Sequence, residues 1–476
     1  MAFTERPHIM LVLARGGTVR NFLYNDFFST LVDNARVTLL TPFKGHDYLK
    51  PYEEKADQVI RLTRYTEKKL PADFRYTISM AHNRWLWSRA CQYHWKADYI
   101  RASTTRRKLK LLLLKGLALP LANRTVLKYL TGLENELSWH LRPTRDFERL
   151  FAGLKPDLVF NCSHIHGQQA DLPMRAAYRM GIPTAAFIYS WDNLTSRSRI
   201  FVPYNFYLVW TDSIRNHLLG LYPDIASERV YVTGTPQFDF HFKPEYQLGR
   251  EELCSRIGAD PGRPYILYTT GFSKDLPGEH RILEGLIDWL GECSLDPKPE
   301  LVVRTFIYSD TDELKALSQR DFKDVFFPPV LWDGQFSLPH PEDQLLYTSL
   351  LRHASLGVNA ASTVSLELMM LDKPVVNLGF EPPGSSLAEW TRFSRHVEYE
   401  HYQPVAESGG VMVARSMEDL FDMVERSLRE PAADSPARRQ FIRDMFGDTL
   451  DGRSGVRVAD KLLELAQNNR NASITD

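Results

Sequence analysis

The sequence predicts an α/β protein of two domains, each built around a parallel β-sheet that is covered by helices. Three observations lead to this prediction. The chain has 476 residues, more than one hydrophobic core usually supports. Short apolar runs bounded by turn residues alternate with helical patterns, which is typical of strands buried on both faces. The alternation stops at 240–262, where Pro, Gly and charged residues mix, and then starts again.

Apolar runs predict the strands of each domain in chain order. The first domain contains HIMLVLA, RVTLLT, DLVFNCS, PTAAFIYS, FYLVWT and RVYVTG. The second contains YILYTTG, ELVVRTF, DVFFPP, ASLGVNA and PVVNLGF. We therefore expect Rossmann-like domains at 1–242 and 260–430 that face each other across a cleft, where such sheets bind ligands. The remaining 431–476 is predicted to form a C-terminal helix and tail.

A stretch at 67–152 interrupts this alternation and predicts a helical insertion in the first domain. Within it, 99–130 is rich in leucine and basic residues, and no acid occurs between Asp98 and Glu134. Such a composition suits a helix that lies on an anionic membrane surface. A helix packed on its own domain, with a solvated basic face, fits the pattern equally well. The basic residues nearest to the LLLL run are Arg106, Arg107, Lys108, Lys110 and Lys115.

Composition and charge disfavour several classes of protein. A net charge of −1 and a pI near 6.9 give no general attraction to polyanions, so no nucleic-acid partner is predicted. The four cysteines lie far apart without metal-binding spacing, which indicates reduced thiols. No apolar run has the length of a membrane span. We therefore expect a cytoplasmic protein that meets a membrane peripherally, at the inner face of the plasma membrane.

The segment NAASTVSLELMMLDKPVVNLGF, at 359–380, carries the main candidate site. Ser362 and Thr363 fall where a strand ends and a helix begins, and the N–H groups of a helix start bind phosphate. Glu367 lies one turn further on, where a carboxylate can accept two hydrogen bonds from a ribose diol. The same residues also fit an ordinary N-cap followed by a partly exposed glutamate.

Together with the preceding DQLLYTSLLRHASLGVNA, this segment resembles the donor half of the GT-B glycosyltransferases, most clearly over about 260–380. It is also similar to capsule-type and lipopolysaccharide-type transferases and to the glycerophosphotransferases of teichoic acid synthesis. The resemblance implies a nucleotide-activated donor bound by the second domain, and it does not select the base or the sugar. Ser362 and Thr363 would contact the donor phosphates, and Glu367 would hold the ribose.

Two further strand ends of the second domain agree with a diphosphate site. Thr270 and Gly271 follow its first strand, and a glycine there lets the backbone approach a diphosphate closely. Arg304 ends the next strand, and its guanidinium suits bidentate phosphate contact. Arg304 fits equally well as the partner of a neighbouring carboxylate in a structural ion pair.

Candidate acceptor residues follow two strands of the first domain. Arg15, Gly16 and Gly17 form a glycine turn after the first strand, similar to the loop that many GT-B enzymes place beneath the acceptor. Trp191 and Asn193, in YSWDNLTSRS, combine an aromatic platform with a polar side chain, which suits a sugar ring. We expect these residues to bind a glycan or a lipid-linked acceptor.

An inverting transferase needs a base within hydrogen-bond reach of the acceptor hydroxyl. The loop NCSHIHGQQAD brings His164 and His166 to a strand end, and Asp192 follows the next strand. The candidates in order of preference are His166, Asp192 and His164. In the alternative, Asp192 and Asn193 form an Asx turn and the histidines cap a helix.

These residues predict a glycosyltransferase of bacterial surface polysaccharide synthesis, with the nucleotide-sugar donor as co-substrate and no other cofactor. No metal is predicted, because no Asp-x-Asp follows a strand as in GT-A enzymes. One alternative of the same fold is a nucleotide-sugar 2-epimerase, which needs carboxylates on both sides of the sugar C2. Another is a glycerophosphotransferase-like polymer synthase. A scaffold subunit without catalysis is disfavoured by the intact Ser362, Thr363 and Glu367.

Overall fold

The computed structural model describes residues 6–63, 65–165, 168–197, 199–309, 311–386 and 392–475. The chain divides into two compact units. Unit 1 comprises 1–239 and 449–476, and unit 2 comprises 240–448. The end of the chain, treated above as a separate helix and tail from 431, is thus divided between the units.

Unit 1 is built on a parallel sheet of seven strands. In chain order they are β1 (His8–Val12), β2 (Arg36–Thr41), β3 (Gln58–Arg61), β4 (Leu158–Asn161), β5 (Thr184–Phe187), β6 (Phe206–Val209) and β7 (Val230–Val232). Their order in the sheet is β3-β2-β1-β4-β5-β6-β7. The direction of winding reverses between β1 and β4, and ligands bind at such a switch point in Rossmann-like sheets. All residues of β1, β4 and β5 are buried.

The helices of unit 1 before the domain boundary are α1 (Gly16–Leu23), α2 (Asp26–Asn34), α3 (Lys50–Glu53), α4 (Lys69–Leu86), α5 (Arg89–Ile100), α6 (Thr105–Ala118), α7 (Arg124–Leu141), α8 (Arg145–Leu154), α9 (Gln168–Arg179), α10 (Asn193–Ser196), α11 (Asp212–Leu221) and α12 (Pro236–Asp239). The ring of Phe22 on α1 lies 5.6 Å from that of Phe160 on β4 and 5.3 Å from that of Phe187 on β5. Aromatic packing therefore fixes α1 over the strands at the switch point.

Helices α4 to α8 form the predicted helical insertion. A small core that includes Ile78, Ala118 and Leu127 joins α4, α6 and α7. Buried charges tie the insertion to the rest of unit 1, because Glu134 on α7 accepts hydrogen bonds from Arg75 on α4 and Arg175 on α9. Among the described helices, none combines the length and apolar character needed to cross a bilayer.

Unit 2 is built on a second parallel sheet. Its strands are β8 (Tyr265–Thr269), β9 (Glu300–Arg304), β10 (Val325–Phe326), β13 (Leu356–Asn359), β14 (Val375–Leu378) and β15 (Met412–Ala414), with a short antiparallel pair of β11 (Trp332–Asp333) and β12 (Leu338–Pro339). The order is β10-β9-β8-β13-β14-β15, so the winding reverses between β8 and β13. Asn359 pairs with Thr269, which places the turns after β13 and β8 side by side.

The helices of unit 2 are α13 (Arg250–Ile257), α14 (Glu279–Glu292), α15 (Asp312–Ser318), α16 (Pro341–His353), α17 (Thr363–Met370), α18 (Gln403–Ala406), α19 (Met417–Arg429) and α20 (Ser435–Phe446). The last helix, α21 (Ser454–Thr475), packs in unit 1. Asp239 accepts hydrogen bonds from the N–H groups of Ser454 at 3.0 Å and Gly455 at 2.6 Å, which caps the start of α21. Burial raises the pKa of Asp239 to about 6.

Candidate functional site

A buried polar network fixes the turn between β13 and α17. The Asn359 Oδ1 accepts from the Ser362 N–H at 3.1 Å, the Ser365 Oγ at 3.0 Å and the Asn377 Nδ2 at 3.2 Å. The Tyr402 hydroxyl donates to the Asn377 Oδ1 at 2.7 Å and lies 2.7 Å from the Ser365 Oγ. Burial raises the pKa of Tyr402, so its phenol stays protonated. The network sets where α17 begins.

The backbone enters α17 through an unfavourable conformation. Ala361 has a φ of +52°, in the left-handed region that costs free energy for residues with a Cβ. Ser362 is the N-cap of α17, and its Oγ accepts from the Val364 N–H at 3.3 Å. Thr363 is the first helical residue, and both side chains are half-buried. Ser362 and Thr363 therefore stand at the predicted helix start, and strain at such a turn is common at functional sites.

Glu367, one turn into α17, is buried and already has two partners in unit 2. Its Oε2 accepts from the His241 Nε2 at 2.7 Å, and its Oε1 accepts from the Tyr347 hydroxyl at 3.0 Å. The side chain is only 3 % exposed, so the partly exposed glutamate of the alternative does not describe it. Each carboxylate oxygen can still accept a second hydrogen bond.

His241 is a member of this site that the sequence did not indicate. With its ring proton on Nε2, facing Glu367, the Nδ1 is an acceptor, and it is buried without a hydrogen-bond partner among the described residues. Buried polar atoms are rarely left unpaired unless a water or ligand meets them. The aromatic run QFDFHF around His241 looked like the end of a domain, which hid its polar role.

The turn after β8 is shaped by contacts within unit 2. The Gly271 N–H donates to both carboxylate oxygens of Glu279 at 3.1–3.2 Å, and a Cβ at Gly271 would lie 2.1 Å from the Leu276 Cδ1. The Thr270 Oγ1 donates to the Ser309 Oγ at 2.8 Å. A larger residue at 271 would therefore have to displace the Leu276 side chain, and the Thr270 hydroxyl is occupied by the protein. Neither observation by itself indicates a diphosphate.

Arg304 forms the structural ion pair that was its alternative role. Its Nη2 lies 2.7 Å from both carboxylate oxygens of Asp343, and its Nη1 donates to the Pro329 carbonyl at 2.7 Å. The same carboxylate accepts from the Trp332 Nε1 at 2.7 Å. The expected phosphate contact of Arg304 does not fit this geometry, because a buried guanidinium cannot leave its carboxylate without a large penalty.

Glu279 makes the stability of the protein depend on pH. Burial raises the pKa of Glu279 to about 7 from an ordinary value of 4.5. Because the folded pKa is the higher one, the stabilising contribution is full below pH 4.5 and is lost as the pH rises through about 7. We expect the urea midpoint to fall less between about pH 5 and about pH 8 in Glu279→Gln than in the wild type. An equal fall of the urea midpoint in the two proteins would contradict this prediction. Asp239 titrates in both proteins, so its contribution drops out of the comparison.

In unit 1, the glycine turn after β1 lies against the turn after β5. A Cβ at Gly17 would come within 2.3 Å of the Tyr189 hydroxyl oxygen, so a larger residue here would have to displace the Tyr189 side chain. Gly16 is buried at the start of α1, and Arg15 is its exposed N-cap residue. The fold therefore brings the predicted glycine turn to Tyr189, a residue that the sequence pattern did not single out.

His164 follows β4 and lies close to the turn after β5. Its Nδ1 is 3.3 Å from the Phe187 carbonyl oxygen and 3.4 Å from the Tyr189 N–H nitrogen. If Nδ1 carries the proton and donates to the carbonyl, Nε2 is an unprotonated acceptor. Burial lowers the pKa of His164 to about 4, which keeps the ring neutral at pH 7. A neutral imidazole is the form that takes a proton from a hydroxyl.

The other residues predicted for this region are engaged in local contacts, are buried or lie outside the described residues. Asp192 accepts from the Ser196 Oγ at 2.7 Å and the Asn193 Nδ2 at 3.1 Å, so its carboxylate is engaged by side chains of α10. Trp191 is 8 % exposed and Asn193 3 %, so they form no open sugar platform. His166 lies outside the described residues. Within the described ranges, no group of three or more His, Cys, Asp or Glu side chains is placed to hold a metal ion.

Three solved structures place this geometry in a known fold. A UDP-GlcNAc 2-epimerase from Methanocaldococcus jannaschii is 13 % identical, covering 95 % of this chain and 99 % of its own, with a TM-score of 0.54. One from Neisseria meningitidis, bound to UDP-GlcNAc, is 11 % identical, covering 96 % and 100 %, with a TM-score of 0.54. A glycosyltransferase from Rickettsia africae is 11 % identical, covering 96 % and 99 %, with a TM-score of 0.50.

No protein-family model matches the chain, and no curated protein matches its sequence. Likeness at 11–13 % identity speaks for architecture and not for activity. The chain therefore has the fold of these enzymes, with the two Rossmann-like units of the GT-B plan.

Proposed function

We propose that this chain is an enzyme acting on a nucleotide-activated sugar, with the nucleotide held at the β13–α17 turn of unit 2. One observation carries the proposal: a strained, network-held turn leads to a Ser-capped helix start, and the Glu367 carboxylate lies one turn further on. Helix starts bind phosphate, and a carboxylate can hold a ribose. One helical turn is about 5.4 Å, which suits the step from a phosphate to its ribose.

Two features of Glu367 support a ribose at this position. The carboxylate is held in place by His241 and Tyr347, and preorganised acceptors bind better than mobile ones. The Nδ1 of His241, buried and without a partner among the described residues, offers a further acceptor on the other side of that ring. UDP is the first nucleotide to test, because the Neisseria meningitidis enzyme of the same fold was solved with UDP-GlcNAc bound.

For the reaction we propose glycosyl transfer to a glycan or lipid-linked acceptor of bacterial surface polysaccharide synthesis, in the cytoplasm. A neutral His164 at the switch point of unit 1 supports this proposal as the general base. It replaces His166 as our first choice, since the placement of His166 is not described. Such a base would take the proton of the acceptor hydroxyl as that oxygen attacks the sugar C1, and the nucleoside diphosphate would leave.

Epimerisation at the sugar C2 is the second candidate, and the comparisons favour it over transfer, since two of the three structures above are 2-epimerases. That reaction needs carboxylates on both sides of C2. Among the described residues at the ends of β1, β4 and β5, the one carboxylate is Asp192, and both its oxygens accept hydrogen bonds around α10. This side-chain set suits transfer better than epimerisation.

A nucleotide screen followed by NMR in D2O tests the proposal. We expect one of UDP, GDP, CMP, CDP or TDP to raise the melting temperature, because a ligand of the folded state stabilises it. With no acceptor added, the matching nucleotide-sugar should then slowly transfer its sugar to water, so that C1 exchanges its bond to the diphosphate for one to a water oxygen and C2 keeps its hydrogen. Deuterium at C2 together with a new 2-epimer would overturn transfer in favour of epimerisation. No stabilisation by any of the five nucleotides would contradict the nucleotide site.

A further inference from the structure

Helix α6 and the residue that follows it, Leu119, carry a ridge of leucines that the protein leaves exposed. Their exposed fractions are 62 % for Leu109, 51 % for Leu112, 66 % for Leu113, 54 % for Leu117 and 52 % for Leu119. Single exposed leucines are ordinary, but a run of this kind marks an interaction surface. We call these five residues the α6 ridge. The first four have the spacing of one helix face.

The orientation of α6 is fixed by its opposite side. Leu111 and Ala118 are buried, and the Lys115 ammonium donates to the Trp95 carbonyl of α5. The α6 ridge therefore cannot turn inward without breaking these contacts. Packing against the insertion, which was the alternative to membrane binding, accounts for one face of α6 and leaves the other face open.

The charges beside the ridge are fewer than the sequence suggested. Lys115 is buried, and the Lys110 ammonium lies 2.6 Å from the Asp73 carboxylate. Arg106 and Arg107 are exposed at the start of the helix, next to the half-buried Lys108. No acid occurs from 99 to 133 to offset them. A cationic end on an apolar ridge is the pattern of an interfacial helix.

We infer that the α6 ridge docks the protein on an anionic lipid bilayer, with its leucines at the acyl boundary and Arg106 and Arg107 among the headgroups. A second copy of the chain is a poorer occupant, because its own ridge segment, at 99–133, offers no acid to pair with Arg106 and Arg107. The leucines carry most of the binding, and the arginines select anionic lipid. This inference goes beyond the proposed function and does not depend on the reaction.

Co-sedimentation with vesicles of phosphatidylglycerol and phosphatidylcholine in equal parts tests the inference. We expect the wild type to sediment, and Leu109→Gln/Leu113→Gln/Leu117→Gln to bind roughly tenfold more weakly or worse. The matched control is Leu137→Gln/Leu141→Gln on α7, whose leucines are 40 % and 45 % exposed, and it should bind as the wild type does. The affinity of Arg106→Gln/Arg107→Gln for these vesicles should be severalfold lower than that of the wild type. This variant should also bind them no better than vesicles of pure phosphatidylcholine.

Salt separates the two contributions. Raising NaCl from about 0.05 M to about 0.5 M should weaken wild-type binding to the level of Arg106→Gln/Arg107→Gln without abolishing it, because salt screens charges and not apolar contacts. A wild type that stays in the supernatant at low salt, or a ridge variant that sediments fully, overturns the inference. The inference is also overturned if the wild type forms a stable dimer in the absence of lipid and the ridge variant is a monomer under the same conditions. The ridge variant should still show the nucleotide-induced rise in melting temperature. Loss of membrane docking can therefore be distinguished from loss of nucleotide binding.

Discussion

Replacing His164 with alanine should lower turnover by about a hundredfold or more and leave the affinity for the nucleotide unchanged, since a positioned base contributes about that factor. The side chain stands after β4 beside the turn that holds Tyr189, and the nucleotide is assigned to unit 2. The loss should therefore appear in kcat at saturating donor. Initial rates for wild type and variant, with calorimetry of nucleotide binding, measure both quantities.

The pH profile gives a second readout of His164. Because burial lowers its pKa to about 4, the base stays unprotonated at neutral pH, and turnover should be lost only as the pH falls toward that value. The control is His217→Ala, an exposed histidine on α11. If His164→Ala turns over as fast as the wild type, His164 is not the base. His166→Ala and Asp192→Asn, measured beside it, would then show whether either earlier candidate is the base.

Replacing Glu367 with alanine should weaken nucleotide binding by roughly ten- to a hundredfold, because a charge-assisted hydrogen bond is worth about 1.5–3 kcal/mol. It should also lower stability, since the buried Nε2 of His241 loses its acceptor. An unpaired buried group costs about 1–3 kcal/mol. Calorimetry well below the melting temperature measures the affinity, and urea denaturation measures the stability.

Two matched variants separate affinity from stability at this position. Tyr347→Phe removes one hydrogen bond to Glu367 and keeps the carboxylate, so it should cost stability of about 1 kcal/mol and little affinity. Glu367→Gln keeps the shape of the side chain and removes the charge, so it should lose affinity with a smaller change in stability. Unchanged affinity in both Glu367 variants would place the ribose elsewhere.

The strands were predictable to the extent that they are buried. All eleven apolar runs became strands, and nine of these are central strands, which a parallel sheet covers on both faces. No apolar run marks β3, which lies at one edge of its sheet and has both end residues exposed. The prediction also missed β15, which has three residues and lies at the edge of the other sheet. The other two edge strands, β7 and β10, lie within apolar runs and were predicted, so position at a sheet edge does not by itself hide a strand.

The helix start of the candidate site was predictable because it is local. An apolar strand, a Ser-Thr pair and a helical pattern are enough to place Ser362 at an N-cap. The surroundings of Glu367 were not, because His241 is 126 residues away in the chain. Arg304 and Asp343 are 39 residues apart, and the sequence could offer their ion pair only as an alternative. Such contacts depend on tertiary packing, which one sequence does not encode in a readable pattern.

Hydrogen exchange with and without UDP, read by mass spectrometry, tests the assignment of the nucleotide site most directly. The nucleotide should slow exchange in the peptides that cover 359–367, because phosphate would engage the helix-start N–H groups and ordering would stabilise the strained turn at Ala361. Glu367→Ala should reduce this protection at the same UDP concentration. Protection confined to the β4 and β5 turns of unit 1, or none around α17 at a UDP concentration that saturates the protein, would contradict the site described for unit 2.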